Sequence, residues 1–279
     1  MSKRIKHYLT KTKEYFFMIL KFAINDLKKR YSGSLLGFLW AYIQPLVAIL
    51  VFWFIFQIGL RNSDIDDAPF IAWLIPSYIS WAFISDSILQ STNVLYEYNY
   101  LVKKVKFKIE ILPLVKVTSS LIVHLFFVLF AIFIFLIYGY MPDIHWLQLF
   151  YYCLAATICL GGISWLVSSL SVFWKDISQI VNVLLQIGFW LCPIFWDPAK
   201  QSHTIGMILK VNPMYYITMG YRECFLATSV IENNIKSTHW FFFYEHPYQT
   251  LYFWLFTLVI CVLGCFSFKK LKHHFPDLL

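Results

Sequence analysis

The chain has 279 residues, 59% of them hydrophobic and 20% aromatic, with 23 Lys and Arg against 15 Asp and Glu for a net charge of +8. No soluble domain of this length is so apolar, so the chain reads as a membrane protein. The positive charge does not point to nucleic acid, because it is spread over the ends of apolar runs, where anionic lipid and orientation in the bilayer account for it.

The first 34 residues hold nine of the Lys and Arg and are too polar for a signal peptide. Phe16, Leu20, Ala23 and Leu27 recur at spacings of three and four among Lys13, Lys21, Lys28 and Arg30. That pattern predicts a basic amphipathic helix over 13–30 along the inner interface, ending at Ser32-Gly33-Ser34. An anchoring helix with no protein partner would show the same pattern.

Six apolar runs follow, at about 35–60, 70–92, 113–139, 146–173, 177–197 and 249–268. A span needs roughly 20 such residues to cross a hydrocarbon core. Trp40, Trp73, Trp81, Trp146, Trp196 and Tyr252 lie toward the ends of these runs, where amphipathic rings favour the headgroup region. The expected organisation is all-α: a cytoplasmic interface segment 1–34, a six-span domain 35–268 and a cytoplasmic tail 269–279.

Lys and Arg set the orientation. Residues 93–116 carry five, the turn after the fourth run carries Lys175, and the tail carries Lys269, Lys270 and Lys272. With the nine at the start, these make 18 of the 23, which the positive-inside bias places in the cytoplasm together with both termini.

Between the second and third runs, Leu101, Val102, Val105, Ile109 and Leu112 share a helical face among Lys103, Lys104, Lys106 and Lys108. A helix over about 95–112 would suit a groove on a cytoplasmic partner; a solvated basic loop is the other reading. Residues 204–231 are apolar but interrupted by Lys210, Asn212-Pro213 and Arg222-Glu223. A seventh span there would put the basic tail outside. The expectation is therefore an extracytoplasmic segment of about 198–235 with two short re-entrant helices meeting at Asn212 and Pro213, against a plain surface loop.

Little chemistry is visible. Apart from Asp197 at the very end of the fifth run, Asp86 is the one acid and His124 the one His inside the runs, which is too few for an ion relay and suggests structural roles. The six cysteines lie in apolar surroundings without metal-like clustering. No GxxxxGK, HExxH or GxSxG motif occurs, so any energy for uphill movement comes from elsewhere.

The run Asp26-Leu27-Lys28-Lys29-Arg30-Tyr31, followed by Leu36-Gly37-Phe38-Leu39-Trp40 and Gln44-Pro45, resembles the opening of permease subunits of type 2 ABC exporters for polysaccharides. Phe173-Trp174-Lys175-Asp176-Ile177, Cys192-Pro193-Ile194 with Trp196, Asn212-Pro213-Met214-Tyr215-Tyr216 through Gly220-Tyr221-Arg222, and the ending Lys270 to Leu279 extend the resemblance over nearly the full length. It implies a six-span permease that homodimerises and pairs with two copies of a separate cytoplasmic ATPase. That partner would bind ATP and Mg, leaving no cofactor on this chain. The pair of permeases, surrounded by membrane lipid, would enclose a path through which a lipid-linked, polyprenyl-type polysaccharide passes outward from the cytoplasmic leaflet.

On that resemblance, Asp26, Lys29, Arg30, Leu101, Val105, Lys106, Ile109, Lys175 and Asp176 would contact the ATPase. Asn212, Pro213, Tyr216, Tyr221, Arg222 and Glu223 would form the re-entrant gate. Sugar C–H faces stack on aromatic rings, so Trp40, Tyr42, Phe189, Trp190, Phe195 and Trp196 are candidates for the path, although each could equally face lipid. The family's usual Arg-Asp at the fourth inner turn is Lys175-Asp176 here, without the planar fork of Arg. The acidic stretch at Asp64–Asp67, Ile144 to Gln148 and His246 to Trp254 look closest to wall teichoic acid permeases, with O-antigen and rhamnan exporters sharing most motifs. An integral membrane transferase for lipid-linked sugar or an ion-coupled carrier remain as alternatives. The first would need converging acids or histidines at one membrane face, the second internal repeats and midplane charges.

Overall fold

The computed structural model describes residues 3–59, 69–104, 107–198, 201–232 and 246–279. Among them all regular structure is helical. Chains in lipid satisfy their backbone polar groups within helices, and the six apolar runs do so here. They form α2 (Trp40–Trp53, continued by a π-helical turn over Phe54–Gly59), α3 (Phe70–Thr92), α6 (Ile111–Ile137), α7 (Gln148–Ser171), α8 (Ile177–Leu191) and α11 (Pro247–Leu271). α1 (Lys3–Arg30) precedes them, α4 (Val94–Glu97) and α5 (Asn99–Val102) make an elbow before α6, and α9 (His203–Val211) and α10 (Pro213–Glu232) precede α11. A short α12 (Phe275–Leu278) closes the tail.

Four stretches are long and apolar enough to cross a bilayer: Gly37–Gly59, Ile111–Ile137, Ile144–Ser171 and Pro247–Leu278. α8 is apolar but has 15 residues, because Pro193 follows its end at Leu191 and the chain cannot stay helical to 197 as expected. α3 is the most enclosed helix, packed against α6, α10, α7, α8 and α2. Its small polar residues Ser77, Ser80, Ser87, Ser91 and Thr92 are all buried. The hydroxyls of Ser91 and Thr92 return to the carbonyls of Ser87 and Ile88 one turn back, so they cost little in a dry interior.

α7 and α11 form the most extensive helix pair. They approach so closely that a Cβ on Gly264 would stand 2.3 Å from the carbonyl oxygen of Gly162, and one on Gly162 would stand 2.9 Å from the Cα of Cys261. Ser169 and Ser267 hydrogen-bond across the same seam at 2.9 Å. The small residues Gly162 and Ser164 therefore serve packing within the chain.

One expectation is corrected. Residues 95–112 do not form one helix: α5 ends at Val102, and the described residues from Lys103 to Glu110 are non-helical. Like charges three and four positions apart, as at Lys104 and Lys108, repel one another on a helix, which disfavours it there. In α1, Ala23 and Asp26 are buried while Phe16 is 62% exposed. The face that α1 lays on α6 carries the buried Asp26–Lys116 pair.

Candidate functional site

α2, α3 and α8 frame a cleft of about 510 Å³. α2 contributes Gln44, Ala48 and Phe52; α3 contributes Tyr78, Trp81, Ser85 and Asp86; α8 contributes Asn182, Gln186, Phe189 and Trp190. Within each helix these positions recur at helical spacings, so each helix presents one face to the cleft. The lining is graded. Gln44, Ser85, Asp86, Asn182 and Gln186 cluster toward one end, and Phe52, Tyr78, Trp81, Phe189 and Trp190 toward the other. Gly188 lets Trp81 lie against α8, since a Cβ there would meet the indole at 2.7 Å.

At the aromatic end Phe195 caps the cleft. Its ring centroid lies 4.7 Å from Phe52, 4.9 Å from Phe56 in a stacked arrangement, 5.3 Å from Phe189 and 5.7 Å from Trp190. Phe56 stacks in turn on Phe70 at 5.5 Å. The segment carrying Phe195 is non-helical from Cys192 to Asp197. Arg222 of α10 holds it: Nη2 donates to the carbonyls of Pro193 and Ile194, the latter at 3.3 Å, Nε donates to Trp73 O at 3.3 Å, and the guanidinium lies 3.9 Å from the Trp73 ring centroid. Arg222 is 1% exposed. Beyond the end of α8 at Leu191 the carbonyls of Pro193 and Ile194 have no helical partner, and the guanidinium meets that need.

At the polar end the cleft adjoins a cavity of about 90 Å³ that shares Gln44 and Asp86 and adds Arg30, Ser120 and His124. Arg30 Nη1 donates to both carboxylate oxygens of Asp86 at 3.1 Å, and Ser120 donates to the same group. Burial opposes the charge on Arg30, but the Asp86 carboxylate outweighs it and the arginine pKa lies above its usual value. One turn earlier on α1, Asp26 accepts from Lys116 Nζ at 2.7 Å, from Tyr98 Oη at 2.8 Å and from Ser119 Oγ at 3.1 Å. Lys116 also reaches Glu97 at 2.6 Å. Burial, and then the Asp26 carboxylate, pushes the Tyr98 phenol well above the usual tyrosine value, so it stays a donor. These bonds tie α1 to the α4–α5 elbow, to α3 and to α6.

Of the residues anticipated for a partner contact, Asp26 and Arg30 are thus engaged inside the chain. Leu101 is buried in a small second core with Val94, Leu95, Tyr98 and Leu112, against which Ile109 packs. Lys29 is exposed, its ammonium 5.1 Å from the Tyr98 ring centroid, and Lys175 and Asp176 are exposed in the turn between α7 and α8. Val105 and Lys106 lie outside the described residues, as do the Asp64–Asp67 stretch and parts of the 198–235 segment.

Among the anticipated path residues, Phe189 and Trp190 line the cleft and Phe195 caps it, while Trp196 donates to Trp190 O at 3.3 Å. Trp40 and Tyr42 lie elsewhere, Tyr42 packing edge-on against Phe126 at 4.5 Å. Gln44, Phe52, Tyr78, Trp81, Asn182 and Gln186 were missed. The recurrence of 182, 185, 186 and 189 on one face of α8 was the signal that could have found them.

In the anticipated gate, Asn212 caps α10 by accepting from Met214 N at 3.0 Å, with Pro213 at the first helical position. Tyr216 hydrogen-bonds Tyr151 at 3.0 Å and Thr250 at 3.1 Å. Tyr221 meets His124 Nε2 at 2.8 Å, which gives that histidine its structural partner. Glu223 is buried at 2% exposure beside Arg222. Two helices do meet at Asn212 and Pro213, although α10 is 20 residues long and not short.

Among the described residues no group of three or more His, Cys, Asp or Glu is placed to hold a metal ion. Long apolar helices around an amphipathic cleft define an integral membrane protein. A family model described as ABC-2 type transporter matches residues 20–226, and the chain belongs to that family. It is similar, at 27% and 25% identity and over the full length of both chains, to two O-antigen export system permease proteins RfbA of Klebsiella pneumoniae. It also matches the capsule polysaccharide export inner-membrane protein CtrC of Neisseria meningitidis, at 22% identity over 86% of each chain.

Proposed function

We propose that the chain is the transmembrane permease of an ATP-driven exporter that passes a lipid-linked polysaccharide outward across the bacterial cytoplasmic membrane. It would act as one of two identical copies, with two copies of a cytoplasmic ATPase that binds ATP and Mg. The graded cleft carries this reading. Amide and carboxylate groups at its polar end suit sugar hydroxyls, and the rings of Phe52, Tyr78, Trp81, Phe189 and Trp190 suit the C–H faces of pyranose units. Each such contact is weak and repeats, so a chain can slide over them without being held.

In this reading α2, α3, α6, α7, α8 and α11 are the six spans, α9 and α10 enter the outer leaflet and return, and both termini are cytoplasmic. The polar end of the cleft then faces the cytoplasm and the Phe195 cap faces outward. The exposed apolar rows Leu50, Phe54 and Ile58 of the α2 stretch and Ile180, Leu184 and Ile187 of α8 flank the cleft and suit a second copy of the chain. The resemblance at the three outer stretches favours wall teichoic acid as cargo, and the relatives that align end to end favour an O-antigen type of glycan.

Purification of the tagged chain from its native membrane tests the reading. A co-purifying phosphate-loop subunit in equal amount, with bound lipid-linked glycan, is the expected result, and the glycan's composition names the cargo. A lone chain without ATPase activity overturns it. For the topology, a Cys at Lys236 is expected to react with an impermeant label from outside and a Cys at Lys104 is not; the reverse pattern would invert the assignment.

A further inference from the structure

We propose that Arg222 is the positioning residue of a releasable closure at the aromatic end of the cleft, with Phe195 as the plug and the broken segment from Cys192 to Asp197 as its hinge. This rests on the exporter reading for its cargo. The closure itself is argued from the geometry. The plug blocks the cleft by ring contact, touching Phe52, Phe56, Phe189 and Trp190, and apart from Phe56 these are lining residues of the cleft. Ring contacts resist compression but do little to fix the backbone that carries them.

The Phe195 backbone is fixed from α10. Residues 192–197 are non-helical, so no repeating ladder of intrahelical bonds holds them. The charged fork of Arg222 takes up two adjacent carboxyl-side groups of that segment, the carbonyls of Pro193 and Ile194, immediately before the plug. The same guanidinium is anchored to α3 through Trp73, by its carbonyl and its ring face. Asn212, at the start of α10, adds a bond from Nδ2 to Cys192 Sγ at 3.4 Å, on the other side of Pro193. All of these bonds join the hinge to other elements through side chains, and each can be broken without unwinding a helix. That arrangement lets Phe195 leave the stack while α8 and α10 stay folded. A lysine at 222 would keep the charge but could not span both carbonyls and the indole face at once.

The test uses the permease with its ATPase in sealed vesicles, read in two ways: ATP-dependent glycan transport, and passive leak of a small hydrophilic dye without ATP. R222M and R222K are expected to raise the passive leak by at least about tenfold, the factor that loss of one hydrogen bond from a charged donor carries. F195A is expected to leak as well. Vesicles of R222M that are as tight as wild type overturn the proposal.

A second variant decides the matter should R222M fail to accumulate. The Thr218 hydroxyl lies against Cys192 Sγ, so Thr218→Cys pairs α10 with the native Cys192. Oxidation is expected to abolish glycan transport and reductant to restore it, with no such response when Cys192 is also changed to Ser. Transport that continues in the cross-linked protein overturns the closure. A wild-type complex that moves no glycan would sink the exporter reading alone, because the dye leak of the Arg222 variants is read without cargo.

Discussion

Lys116→Met is the most informative single perturbation of the inner end. Lys116 and Asp26 have side chains 2% and 3% exposed, with the ammonium 2.7 Å from the carboxylate. Removing the cation leaves Asp26 with the hydroxyls of Tyr98 and Ser119 only, and an uncompensated buried charge of this kind costs about 3–5 kcal/mol. The second carboxylate on Lys116, Glu97, is 42% exposed, and its pair with the lysine adds about 0–1 kcal/mol. The double change Asp26→Asn with Lys116→Met removes both buried charges and keeps a similar volume, so it should recover most of the loss. The assay is the melting midpoint of the detergent-solubilised complex by size-exclusion of heated samples, with Asp26→Asn alone completing the cycle. A Lys116→Met protein that melts with wild type, or a double variant as unstable as the single one, would refute the claim that this pair holds α1 to α6.

Three further outcomes are expected. Gly264→Ala forces a methyl to within 2.3 Å of the Gly162 carbonyl, so α7 and α11 must separate, and the yield of folded protein should fall sharply while Gly206→Ala, where a Cβ meets nothing, is tolerated. Trp81→Ala and Phe189→Ala remove rings from the cleft without touching the α1 contacts, so glycan transport should drop severalfold with ATPase activity retained; unchanged transport in both would remove the cleft from the path. Asp86→Asn keeps the shape of its partner site but leaves the Arg30 charge without a carboxylate, and is expected to lower transport per ATP hydrolysed, a ratio that a purely local packing role would not change.

The helices were legible because the length of an apolar run is itself a physical demand of the bilayer, and each of the six runs became a helix. The breaks were legible for a similar reason: Pro193 and Asn212-Pro213 carry their backbone consequences wherever they stand. What sequence could not give was pairing at a distance. Asp26 is a partner-contact residue on the resemblance alone, yet its counter-ion is 90 residues away on α6. Arg30 and Asp86 are separated by 56 residues. Trp40 and Tyr42 lie away from this cleft, since enrichment says that rings are abundant and not which way they face. The face was recoverable on α8, where Asn182, Gln186 and Phe189 fall in line. The supposed helix over 95–112 failed because its apolar stripe was weighed and its lysine repulsion was not.

The two ends of the cleft are held by different kinds of bond, and the difference suits the direction of work. At the polar end α1 is joined to α6 by the dry Asp26–Lys116 pair, which breaks only at a cost of several kcal/mol, and to α3 by the partly exposed Arg30–Asp86 pair. At the other end the hinge before Phe195 is held by hydrogen bonds to backbone carbonyls, each of which can be exchanged for water or for a sugar hydroxyl. α3 connects them: Asp86 meets Arg30 near its inner end and Trp73 meets Arg222 near its outer end, roughly 20 Å away at 1.5 Å per residue. Because α3 is packed on nearly every side, a displacement imposed on α1 cannot be absorbed by bending into lipid. It must either repack the core or shift Trp73 against Arg222, and the second route acts on bonds that converge on a single side chain. A displacement of α1 would thus be felt at the end of the cleft that Phe195 caps.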